Sequence, residues 1–148
     1  MRAILIDPMI EGGLVTQGDF DVDRADVRSL YKILGVDNVE RAGPLPNGDM
    51  VYVDGYGLIQ ANPGPFFMIE GWHEPLAGRG LLLGETRSGY MAPSRTPLRK
   101  AQAWVRFLDI ELAGFEEFVD VMTIPGLEGC TTVIGSRPVF RKRGRHDT

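Results

Sequence analysis

One cysteine, Cys130, stands in the chain, so no disulfide can close within it. There are two histidines, His73 and His146, and no Cys/His pair at the spacing a zinc site needs. No apolar run approaches the roughly 18 residues of a membrane-spanning helix. The opening MRAILIDP is too short in apolar residues for a secretory leader. These absences set the expectation of a cytoplasmic protein in a reducing compartment, with no membrane partner. Phosphate-loop spacings such as G-x-x-x-x-G-K-[ST] and G-x-G-x-x-G are missing too, and no serine stands in a nucleophile-elbow context. DFDVDRAD, at 19–26, has the acids of a calcium loop but lacks the glycine at its sixth position and the glutamate at its twelfth. No catalytic residue, metal ligand or cofactor is therefore assigned.

What is present is an ordinary globular composition in 148 residues, 43% apolar and 24% charged, enough for one domain with its own core. The charge is uneven. Five of the 16 Lys and Arg and one of the 20 Asp and Glu fall in residues 137–148, leaving 11 basic against 19 acidic side chains before them. The reading is an acidic body, 1–136, followed by a basic C-terminal tail, 137–148, whose Arg141, Lys142, Arg143 and Arg145 could touch a nucleic acid or protein partner. A body of net −8 argues against nucleic acid as the main partner, beyond weak salt-sensitive contact through the tail.

The periodicities predict a single α+β domain, a mostly antiparallel sheet with two main helices. RAILIDP and LVTQGDFDV read as strands joined by a glycine turn. Val27, Leu30, Tyr31 and Leu34 form one helical stripe, with Asp23 as its cap and Gly35 as its stop. VDNVERAG and the alternating VYVD predict two strands about the turn PLPNG. FFMIEGW and GRGLLLGE predict two more, paired as a hairpin through HEPLA. TPLRKAQAWVRFLDIELAG predicts the second helix, with Thr96 as cap, Pro97 in the first turn and Gly114 as its end. FEEFVDVM fits helix and strand equally, and CTTVIG is strand-like.

MIEGWHEPLAGRGLLLGE, at 68–85, concentrates the candidate chemistry. Gly78, Gly80 and Gly84 around Arg79 look like a tight turn before a buried strand, and Arg79 could still grip an anion through its planar fork. Trp72, Tyr90 and Trp104 could stack a base, with Arg79 or Arg87 meeting phosphate, which defines a candidate site for a nucleotide-like ligand. His73, between Trp72 and Glu74, joins that set. It is also the best acid/base candidate in an alternative reading as a small enzyme, with a neighbouring carboxylate to orient it.

The run from VYVD at Val51 through FFMIEGW to PLAGRGLLLG at Gly84 resembles a small family of uncharacterised proteins of phages and mobile elements, known only as a domain of unknown function. The first strand, MRAILIDP, and a helix like RSLYKILG fit the same pattern, over roughly residues 1–110. The resemblance implies context rather than mechanism: an accessory protein in the host-cell cytoplasm that blocks or tunes a host process such as defence. It would bind either a nucleotide-like ligand or a host protein through its acidic surface. Self-association into a homo-oligomer fits as well.

Overall fold

The structure is a computed structural model that describes residues 1–122, 126, 129 and 131–143. The chain divides into two compact units, Met1–Asp109 and Ile110–Thr148. The sequence reading drew its one boundary at 136.

In the first unit, β1 (Arg2–Asp7) and β2 (Leu14–Asp19) form the expected opening hairpin. A 3-10 turn at Val27–Ser29 leads into α1 (Leu30–Leu34). Asp26 caps that turn by accepting the Arg28 N–H at 3.0 Å, while the carboxylate of Asp23 accepts from Ala25 instead. Gly35 ends α1 in the left-handed region, φ +70°. Next come β3 (Val39–Pro44), β4 (Met50–Asp54), β5 (Phe66–Ile69), the two-residue β6 (Leu76–Ala77), β7 (Gly80–Glu85) and β8 (Met91–Ala92). The unit closes with α2 (Leu98–Trp104) and β9 (Val105–Leu108).

Six strands form one antiparallel sheet in the order β2-β1-β7-β4-β3, with β8 added at the end of β7. The GRGLLLGE segment therefore supplies the central strand. The expected hairpin between FFMIEGW and GRGLLLGE does not form. β7 pairs with β1 and β4, and β5 pairs with β6 and β9 in a second, three-stranded sheet.

The middle strands β1, β7 and β4 are buried on both faces, which explains why AILI of β1 and LLL of β7 read as unbroken apolar runs. One face, with Ala3, Met50, Tyr52, Leu81 and Leu83, packs under Leu30 and Leu34 of α1. The other, with Ile4, Ile6, Val51, Val53 and Leu82, packs against Phe67, Ile69, Ala101 and Val105 of the small sheet and α2. The glycines of the central strand are steric necessities. A Cβ on Gly80 would come within 2.7 Å of the Phe67 ring, and one on Gly84 within 2.5 Å of the Pro93 carbonyl oxygen.

The helices are shorter than expected, five and seven residues, so the fold is dominated by sheet. Thr96 does not cap α2, because its hydroxyl and its N–H both go to Asp49. The helix ends at Trp104 rather than near Gly114. From Val105 the side chains Val-Arg-Phe alternate, and pairing with β5 (Ile69 opposite Val105, Phe66 opposite Leu108) satisfies the backbone there.

The second unit is a two-stranded sheet of β10 (Ile110–Met122) and β11 (Thr131–Lys142). FEEFVDVM is thus strand, and Gly114 sits where the register shifts, at φ +146°. Residues 137–142, read from sequence as part of the tail, are paired strand, opposite 110–116. Arg137 and Arg141 form ion pairs with Glu116 and Glu111. Cys130, Arg145 and His146 lie outside the described residues.

Candidate binding site

Both tryptophans of the chain line one cavity of about 630 Å³, together with Pro44, Leu45, Pro46, Ile69, Glu70 and Gly71. The local sequence explains how each wall is placed. β5 ends in a turn in which the Trp72 N–H bonds the Ile69 carbonyl at 3.0 Å, with Gly71 third at φ +86°. Among the described residues no non-glycine residue takes a positive φ, so this is the type II geometry that favours glycine there. The Glu70 N–H bonds the Trp104 carbonyl at 2.8 Å, joining the end of β5 to the end of α2. The Trp72 ring lies over Gly43 of β3, where an added Cβ would stand 3.6 Å from it. Both indoles are half-buried and rest on the core between the two sheets.

The third wall, Pro44–Pro46, belongs to the β3–β4 turn, and a buried carboxylate holds it in place. Asp49 is fully buried. It accepts hydrogen bonds from the Ser94 and Thr96 hydroxyls, both at 2.6 Å, and from the Arg95 and Thr96 N–H groups, both at 3.0 Å. Asn47 adds a bond from its amide to the Thr96 hydroxyl at 2.9 Å. Arg2 closes the other side, donating to the carbonyls of Ser94 and Thr96. The segment that leads into α2 is thereby clipped to the turn that carries the prolines. Sequence reasoning missed this network. Its available signals were an acid at the end of a turn, directly before a buried strand, and two hydroxyls spaced by two ahead of Pro97.

The other candidates from the sequence lie apart from this cavity's lining. His73 follows Trp72 on an exposed bend and is not among the lining residues. Arg79 forms an ion pair with Asp7, Nε to Oδ2 at 3.2 Å, and its guanidinium reaches over Gly35 at the end of α1. The anion it meets is thus the protein's own. Arg87 lies exposed in the turn joining β7 and β8, and Tyr90 ends that turn with Arg24 stacked 5.2 Å from its ring. A smaller cavity of about 200 Å³ nearby is lined by Arg24, Arg41, Tyr52 and Glu85, among others. Burial, and after it the Glu85 carboxylate, push the Tyr52 phenol up from its ordinary range, with Arg41 opposing. Arg141 and Lys142 lie in β11 and Arg143 follows it. Among the described residues no group of three or more His, Cys, Asp or Glu could hold a metal, and no helix is long and apolar enough to cross a membrane.

The Arg79–Asp7 pair yields a stability prediction. Asp7 is 8% exposed and Arg79 34%, so water screens the pair in part. Arg79→Ala is expected to cost about 1–3 kcal/mol, mostly by leaving the Asp7 carboxylate without its guanidinium. Arg79→Lys should fall between, since it keeps the charge and loses the fork. Denaturant unfolding of the three proteins measures this; three equal midpoints would show the pair contributes nothing.

Comparisons of the chain with protein-family models, with curated proteins and with solved structures return no match.

Proposed function

We propose that the protein is a non-enzymatic accessory protein of a phage or mobile element, one that captures a ligand in the tryptophan cavity and thereby modulates a host process. The observation that carries this reading is the convergence of both indoles, from the turn after β5 and from the end of α2, on one cavity within the usual size of small-molecule sites, roughly 300–1,000 Å³. Its lining is apolar and aromatic, with one carboxylate, and suits recognition of a flat or apolar group. A nucleotide-like ligand would enter base first, since the arginines expected to meet phosphate are placed elsewhere.

Native mass spectrometry of the purified full chain tests for a retained ligand. With any ligand found, Trp72→Ala is expected to weaken binding by about 1–3 kcal/mol, the scale of one base–aromatic stack, with little change in melting temperature. Unchanged affinity in both Trp72→Ala and Trp104→Ala would remove the cavity from consideration.

A second reading, a host-protein partner, is favoured by the ribbon of β10 and β11. Phe115, Val119 and Val121 alternate on one face, with Ile134 opposite Val119, and all four are more than half exposed. Two-stranded sheets are marginal alone and gain from being covered. Val119→Lys with Ile134→Lys should abolish such an association. Light scattering of the free protein separates a host partner from a second copy of the chain.

A further inference from the structure

Resting on the cavity reading above, we propose that the tryptophan cavity selects an organic cation, a quaternary or N-methylated ammonium group. Charge decides among the ligand classes the walls would otherwise admit. Among the described residues Glu70 is the one ionisable residue in the lining, and no lysine, arginine or histidine shares it. Among the described residues its carboxylate enters no ion pair and no side-chain hydrogen bond, although its backbone N–H is fixed to Trp104. An exposed carboxylate beside two indoles makes a locally negative, π-rich surface, because the faces of the aromatic rings carry the negative part of their quadrupole.

Each competing guest leaves something unmatched. A phosphate or carboxylate would face Glu70 with no cation in the lining to offset it. A neutral apolar guest fills the space and makes no use of the carboxylate. A primary ammonium would match the charge, but it holds its water tightly and gives it up at high cost against Pro44, Leu45, Pro46 and Ile69. A methylated ammonium matches all three features: its charge is delocalised over methyl groups that pack on indole and proline, and it is attracted by ring faces and carboxylate together. The cavity exceeds the size of a trimethylammonium group alone, so it admits the chain attached to one. That chain could belong to a free choline-like molecule or to a methylated lysine of a peptide, two sources of the same chemistry.

The two tryptophans are the only ones in the chain, so intrinsic tryptophan fluorescence of the full-length protein reports on this cavity alone. The protein is titrated at constant ionic strength with choline and with 3,3-dimethylbutan-1-ol, its uncharged isostere, and separately with a short peptide bearing trimethyllysine and the same peptide unmethylated. Choline or the methylated peptide is expected to bind about tenfold tighter than its control, the scale of a desolvated cation–π contact. Glu70→Gln, a change at an exposed position, is expected to reduce that preference to about threefold or less. Preference in the choline arm alone identifies a small molecule, and preference in the peptide arm alone a modified side chain. Equal binding within both pairs, choline with its neutral isostere and the methylated peptide with the unmethylated one, would overturn the cation assignment and leave a neutral apolar cavity, with the binding reading intact. No response to any of the four compounds would also overturn it. The binding reading is judged separately, by the ligand retained in native mass spectrometry.

Discussion

Asp49→Ala is expected to lower the stability of the first unit by about 3–5 kcal/mol, because several donors lose one buried acceptor at once. The carboxylate accepts from two hydroxyls and two backbone N–H groups, and Thr96, Ser94 and Asp49 itself are all buried. Removing the acceptor strands these donors, and each stranded buried donor costs about 1–3 kcal/mol before the hydroxyls reorient or water enters. Against a total stability of about 5–15 kcal/mol that is a large fraction, and it corresponds to a fall in melting temperature on the order of 15 °C. Asp49→Asn should cost roughly half as much, because one oxygen still accepts while the new amide faces groups that already donate. Thermal and urea unfolding decide the matter. A melting temperature within a few degrees of the parent for Asp49→Ala would show that the network is dispensable.

The consequence for the cavity is specific. Asp49 ties the Pro44–Pro46 turn to the entry of α2, and α2 ends in Trp104. A variant that stays folded at low temperature with this tie cut should show its tryptophan emission displaced towards the solvent-exposed value.

The parts of this architecture legible in the sequence are those governed by near neighbours. The β1–β2 hairpin follows from two apolar runs about a glycine turn, and the end of α1 at Gly35 follows from a stripe that stops at Leu34. β7 was recognisable as a buried strand, and Trp72 and Trp104, read from the sequence as candidates to stack a base, line one cavity. Long-range pairing was not legible. The partner of Arg79 is Asp7, far upstream on β1, and nothing near Arg79 in sequence hints at it. Asp49 meets its partners 45 to 47 residues away. The overlong second helix has a physical origin too: Leu98, Ala101, Val105 and Leu108 step as a helix does, while Val105 and Phe107 also alternate as a strand does. Only the free edge of β5, invisible in the local sequence, decides between them. The expected hairpin of β5 with β7 failed for a related reason. β6 takes the place beside β5, leaving β7 free to pair between β1 and β4.

The contact between Phe67 and Gly80 carries the other large expected effect, since it joins the cavity-bearing sheet to the central strand. Phe67 is fully buried, and its ring occupies the space that a side chain at position 80 would need. Phe67→Ala should cost about 3–5 kcal/mol through lost transfer energy and the hole left behind. Gly80→Ala errs in the opposite direction: the new methyl would stand 2.7 Å from Cζ and 3.3 Å from Cε1, forcing the ring to move at a cost of about 1–3 kcal/mol. The atoms it meets are at the far end of the phenyl ring, which leucine lacks. Phe67→Leu combined with Gly80→Ala is therefore expected to be more stable than the sum of the two single changes implies, by about 0.5–3 kcal/mol. Denaturant unfolding of the four proteins closes this cycle. Strict additivity would mean that ring and strand do not compete for the same space. Because β5 continues directly into the turn that carries Glu70, Gly71 and Trp72, the single variants should also loosen the cavity, and the double variant should restore its tryptophan emission towards that of the parent.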